Sequence, residues 1–337
     1  MMQHYIHKER SMPQVPARAG FTLLEVILVL VILGIVASIG STIVSQLYEN
    51  YIVQRAMQRA SLKTELAADQ IANRLRYAIP SSVITRKSTD VTDFIALRDF
   101  PAGSGDRTPR VLEWIGYDND SFSSQLKPGW SGYCDVNATL NSITAGTRDE
   151  VITPGSGLDF ADTVIQNLSG GTNSLADTAL LFQTNGMHSD ALSQTPNCYG
   201  YNGDRSCIYR ISGHDGARKI KLDDNIATGN YISPLYKLAW SAYAIVPVNI
   251  RRATTGNSAL FDLELRYGYQ PWNTTGNKDF EGASSSTLLR NVTSFKYSQL
   301  GNTIRFKICA TEQIGGESVD DVNATNISVC KEKVVMR

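Results

Sequence analysis

Residues 20–40 read GFTLLEVILVLVILGIVASIG, an apolar run broken by a single charge, Glu25. No further charge occurs from Val26 to Tyr48; the next is Glu49. As a helix that stretch spans about 35 Å at ~1.5 Å per residue, enough to cross a hydrocarbon core of about 30 Å. A secretory signal has a shorter apolar core, of about 7–15 residues, followed by a small-x-small cleavage site. This run is longer and no Ala-x-Ala follows it, so a membrane anchor fits better than a cleaved secretory signal. A plain anchor leaves Glu25 unexplained, because a carboxylate in the bilayer centre costs roughly 2.5–3.5 kcal/mol on insertion scales. Its place in the first helical turn lowers that cost, since the positive end of a helix favours an acid. Snorkelling to the headgroups would lower it too.

The residues before the run change the reading. Lys8, Arg10 and Arg18 make the leader basic against one acid, Glu9, and the junction reads Arg18-Ala19-Gly20. The block Gly20-Phe21-Thr22-Leu23-Leu24-Glu25-Val26 resembles the prepilin cleavage and methylation motif of type IV pilins and type II secretion pseudopilins. The resemblance covers about the first 45 residues. It implies that a prepilin peptidase cuts the Gly20–Phe21 bond and methylates Phe21. It also implies that Glu25, fifth in the mature chain, is the acid used in subunit assembly.

Cleavage would create a positive amine on Phe21, and Glu25 of one subunit can pair with the amine of a neighbour. A buried charge left without its partner is strongly destabilising, so such a pair would set register between subunits. The basic leader places the N-terminus in the cytoplasm, against the weaker pull of Arg55, Arg59 and Lys63 beyond the span. The expected organisation is a leader at 1–20, a pilin helix at 21–80 with 21–44 in the inner membrane, and a β-rich periplasmic domain at 81–337.

The 337 residues carry balanced charge, and losing the leader's three bases and one acid leaves about −2. No basic block with interleaved aromatics indicates a nucleic-acid partner. Residues 45–79 hold no Gly or Pro and are rich in helix formers. Leu62, Leu66, Ile71 and Leu75 are expected to form one apolar stripe on a polar helix, which Pro80 ends. Gly34 and Gly40 inside the span read either as close-packing points, sites of local melting or ordinary membrane glycines.

After Pro80, alternation takes over. LFDLELRY (260–267) sets Phe261, Leu263, Leu265 and Tyr267 on one face, as in a half-buried strand. SFKYSQLGNTIRFKIC (294–309) predicts a hairpin turning at Gly301-Asn302. KLAWSAYAIVPV (237–248), apolar on both faces, predicts a central strand. VLEWIGY, ALLFQ, CIYRIS and SVCKEKVV complete the set and point to an antiparallel sheet domain; the pilin resemblance implies an α+β fold, with the long helix packed on that sheet. Residues 118–175 and 270–286 read as long polar loops. The tail order (strand, loop with Trp272, LLRNVTSFKY, hairpin) and LAADQIANRLRYAIP resemble the larger minor pilins and the J-type minor pseudopilin.

Five cysteines lie beyond the span, where disulfides are permitted. Cys198 and Cys207 bracket a Gly/Asn loop, and Cys309 and Cys330 sit on two strand candidates, leaving Cys134 over; free buried thiols are the alternative. His188 and His214 each neighbour Ser or Asp, but chain neighbours do not make a triad, and no catalytic, phosphate-binding or metal motif appears. No cofactor is indicated. Asp118-Asn119-Asp120 lacks calcium-loop spacing and reads as a solvated turn. Asn137 and Asn323 each stand in Asp-x-Asn-x-Thr, similar to an acidic bacterial glycosylation sequon. The resulting expectation is a non-enzymatic minor pseudopilin or minor pilin whose partners are prepilin peptidase, other pilin subunits, the inner membrane and secreted proteins. A membrane-anchored periplasmic enzyme or binding protein is the alternative of another class.

Overall fold

A computed structural model describes residues 20–87, 90–101, 109–122, 128–144, 149–183, 196–223, 232–252, 259–274, 276–314 and 325–336, with backbone alone at 90–92, 141–144, 252, 259 and 325. Residues 1–19, where a leader is expected, and His188 and Asn323 lie outside the described residues. The chain divides into two compact units between Gln54 and Arg55.

Helix α1 (Leu23–Leu75) is 53 residues long and holds no proline. Its first unit, through Gln54, is almost wholly exposed and apolar as far as Val44. The helix stops four residues before the point expected from its composition. Ile79, preceding Pro80, is extended (φ −72°, ψ 119°), because the proline ring crowds the helical conformation of the residue before it. Tyr77 and Ala78 tighten the end by donating to the carbonyls of Arg74 and Leu75, and the Ile79 N–H leaves for Ile115 O at 2.8 Å.

The buried face of α1 differs from the expected stripe. Ala56, Ala60, Thr64, Ala67, Ala68, Ile71 and Leu75 are buried, whereas Leu62 and Leu66 are 64% and 62% exposed. Both sets recur at helical spacing, but small residues let the helix lie close on a sheet, and that gain in contact decides the face.

The unit from Arg55 onward is layered. An antiparallel sheet of eight strands comprises β1 (Ile84–Lys87), β2 (Asp90–Ala96), β3 (Arg110–Gly116), β9 (Ser241–Arg252), β10 (Ala259–Tyr269), β11 (Ser284–Leu300), β12 (Thr303–Ile314) and β13 (Thr325–Met336). Its spatial order is β13-β12-β11-β10-β9-β3-β1-β2. A second antiparallel sheet, ordered β4-β7-β6-β5-β8, comprises β4 (Glu150–Ile152), β5 (Ala179–Phe182), β6 (Tyr209–Asp215), β7 (Lys219–Leu222) and β8 (Tyr236–Ala239).

One core joins the buried face of α1 to Leu112, Trp114, Ile245, Leu263, Phe306 and Ile308 of the large sheet. A second lies between the sheets, where Val111, Ile115, Ala242 and Ala244 meet Ala179 and Leu181. Both β3 and β9 are thus covered on both faces, which explains the apolar run from Ala242 to Val248 in β9. The β11–β12 hairpin turns at Gly301-Asn302, with Leu300 opposite Thr303 and Gly301 at φ +56°, a conformation that glycine adopts without strain.

Two sequence expectations are corrected. KLAWSAYAIVPV is not one strand: it breaks at Trp240, so that β8 joins the small sheet and β9 the large one. Hydropathy alone cannot register the break, because both halves are buried. Residues 118–175 are not a long loop. They contain α2 (Asn119–Phe122), α3 (Val136–Thr144), β4 and α4 (Leu158–Leu168). Leu158, Ala161 and Ile165 of α4 supply a third core together with Trp130, Leu180 and Leu238. Their three- and four-residue spacing is helical, but the Asp, Thr, Gln and Asn around them masked it.

Candidate functional site

The N-terminal site is built from Gly20 to Glu25. Gly20 and Phe21 precede the helix, and Phe21 is 79% exposed. The Glu25 N–H donates to Thr22 Oγ1 at 3.3 Å, and the Val26 N–H donates to Thr22 O at 3.2 Å. Thr22 is therefore the N-cap of α1 and Glu25 its third residue. This is the threonine-x-x-glutamate order of a capping box, and it satisfies a donor that helix starts otherwise leave open. Sequence reasoning passed over Thr22, although the four-residue pattern was there to signal it.

Glu25 is exposed, and among the described residues no ion pair engages its side chain. The helix beyond it is long and apolar enough to cross a membrane. A Cβ added at Gly34 or Gly40 would meet nothing within 4 Å.

The cysteines fall into two bridges. Cys198 is bonded to Cys207 and Cys309 to Cys330. Cys309 and Cys330 stand directly opposite each other on β12 and β13. Cys134 is free and buried, its Sγ 3.5 Å from Thr139 Oγ1, and burial pushes its thiol pKa up.

The remaining candidates separate. His214 Nδ1 lies 3.1 Å from Gly216 O and 3.6 Å from Asp159 Oδ1, a carboxylate 73% exposed. Asp118 is not in a solvated turn. It is buried, it caps the short helix α2 by accepting from the Ser121 N–H at 3.2 Å and from the Ser121 hydroxyl, and its carbonyl accepts from Trp130 Nε1. Burial pushes its carboxyl pKa up, against those hydrogen bonds. Among the described residues no cluster of His, Cys, Asp or Glu could hold a metal ion. Asn137 is exposed on α3, but the Thr139 of its sequon is fully buried and accepts from the Ile152 N–H.

A deeper charged network lies under the edge of the large sheet. Arg86 Nη2 is 2.5 Å from Glu113 Oε2, with both side chains almost fully buried. Tyr269 donates to Glu113 Oε1 at 2.8 Å, and the Arg86 guanidinium lies over the rings of Phe94, Tyr201 and Phe280. Nothing in the sequence pattern singled out these residues.

A family model, the prokaryotic N-terminal methylation motif, matches residues 16–41. No curated protein and no solved structure matches the chain.

Proposed function

We propose, from an N-terminus that is that of the type IV pilin and pseudopilin superfamily, that this chain is a minor subunit of a type II secretion pseudopilus. The observation that carries the reading is the contiguous block Gly20–Val26 at the head of a run without charge from Val26 to Tyr48. Prepilin peptidase cuts after Gly20 and methylates Phe21. The inner membrane holds residues 21–44, and the layered unit lies in the periplasm. The new amine sits four residues before Glu25. Glu25 pairs with the amine of a neighbouring subunit and so fixes the stagger between helices. The open space beside Gly34 and Gly40 leaves close packing there to another chain.

Two sheets with three cores make a head larger than a tightly repeated subunit needs, which supports a place at the filament tip or in the initiating complex. Other pilin subunits are the direct partners, and secreted proteins are the cargo. The deciding experiment is a deletion strain scored for secreted proteins and surface pili in one culture. Lost secretion with intact pili supports the reading. Lost pili with intact secretion would assign the chain to a type IV pilus instead. If neither changes and the mature mass retains residues 1–20, the chain is a static anchor for a periplasmic enzyme or binding protein.

A further inference from the structure

An open cleft of about 760 Å³ lies where α1 ends, in the unit that begins at Arg55. Three cations reach it from separate elements: Arg76 just past α1, Arg98 from the short turn after β2, and Lys237 from β8. Among the described residues lining it there is no carboxylate.

Lys237 is the informative member. It is half-buried, and its ammonium lies 3.9 Å from the centre of the Tyr117 ring. Among the described residues no carboxylate pairs with it, and burial pushes its pKa down. An ammonium withdrawn from water without a counter-ion is unfavourable, and a ring face returns only about 0.5–2 kcal/mol. The fold therefore keeps a partly desolvated cation facing a cleft, and an incoming anion would relieve it. Arg76 is exposed and likewise has no ion-pair partner among the described residues. Arg98 has Asp99 at 3.7 Å, both partly exposed.

The walls are built firmly. Tyr117 is held edge-on by Tyr77, with centroids 5.4 Å apart at 88°. The hydroxyl of Tyr199 is hydrogen-bonded to Ser81 Oγ, and the strip carrying Tyr199 is closed by the Cys198–Cys207 bridge. Ile79, Pro80, Leu181 and Phe182 add apolar surface beside the cations. A site of this kind, mostly preformed with a few convergent charged groups, is what ligand clefts require.

We propose that this cleft binds an acidic peptide segment, seating a carboxylate on Lys237 and Arg76 and an adjacent apolar side chain against Leu181 and Phe182. Two charge-assisted contacts fix the carboxylate, and the apolar wall supplies the area. A uronic-acid glycan fits less well, because it brings no apolar side chain to set against Leu181 and Phe182. The proposal concerns the subunit itself and holds whichever filament it joins.

The test uses the full chain in detergent micelles and a fluorescein-labelled peptide of alternating Glu and Phe, with its Gln/Phe counterpart as control, read by fluorescence anisotropy. The Glu peptide binds about tenfold tighter than the Gln peptide, and the difference shrinks between about 50 mM and about 300 mM salt. Lys237→Met, which keeps the aliphatic stem over Tyr117, weakens binding about tenfold, and Lys237→Arg restores most of it. Arg76→Gln, at an exposed position, weakens it without moving the melting temperature. Equal binding of the two peptides overturns the proposal. So does indifference to both the Lys237→Met and Arg76→Gln substitutions, or binding of a labelled tetragalacturonate in place of the Glu peptide.

Discussion

Lys331, on the last strand, holds its ammonium 3.1 Å from the carboxylate of Glu65 on the long helix. Lys333 bonds to the same carboxylate and lies 2.9 Å from Asp69. Two residues before Glu65, Lys63 lies 3.1 Å from Glu312 of β12. The edge of the large sheet is thus tied to α1 by crossed charges over the apolar contact.

These pairs predict an acid-sensitive clamp. Hydrogen bonds from Lys333 and Lys331 hold the Glu65 carboxyl below its ordinary value of 4.5. A lowered acid stabilises the fold above its unfolded value and loses that contribution as pH falls through the folded one. Glu65→Gln therefore melts lower than wild type at neutral pH, by about 1–3 °C, and the gap closes as pH falls below 4.5 and through the lowered folded value. Thermal melts of both proteins in detergent across that range check it. A gap that persists in acid would mean that Glu65 acts through packing.

Arg86 and Glu113 predict the opposite of a surface pair. Burial pushes the Glu113 carboxyl pKa up, with Arg86 and the Tyr269 hydroxyl pulling against it. Arg86→Met leaves a carboxylate buried without its partner and costs about 3–5 kcal/mol. Arg86→Met with Glu113→Leu recovers most of that loss, since an apolar pair needs no desolvation. Denaturant melts of the two variants check the order. A double variant no better than the single one would point to the Tyr269 and aromatic contacts as the main support.

The N-terminal motif and the period-2 strands were legible because each is a contiguous or local pattern. Gly301-Asn302 names its own turn, and Phe261, Leu263 and Leu265 name their own face. The break at Trp240 was not legible, because residues on either side are buried in different sheets with the same hydropathy. The placement of β9 between β10 and β3 is likewise non-local. Helix α4 hid because its apolar residues are diluted by Asp, Thr, Gln and Asn. The pair Arg86–Glu113 joins positions brought near only when β1 pairs with β3.

The cysteine pairing predicts a simple chemical count. Under native, non-reducing conditions iodoacetamide labels none of the five cysteines, and after denaturation it labels Cys134 alone. Replacing either bonded pair by alanines costs about 2–3 kcal/mol. Peptide mass spectrometry of the labelled protein reads the first outcome, and label on Cys198, Cys207, Cys309 or Cys330 would contradict the bridges.

The face of α1 is tested by substitutions that the two apolar stripes rank oppositely. Ala68 is fully buried against the large sheet, so Ala68→Leu forces side chains and backbone apart and costs about 1–3 kcal/mol. Leu62 and Leu66 are mostly exposed, so Leu62→Ala and Leu66→Ala change stability by no more than about 0.5 kcal/mol. A leucine buried in the core would lose about 2–5 kcal/mol on the same change. Denaturant midpoints of the three variants in detergent separate the faces. If Leu66→Ala lost several kcal/mol while Ala68→Leu was tolerated, the helix would be packed on its leucine stripe, and the alanine contact with the sheet would have to be abandoned.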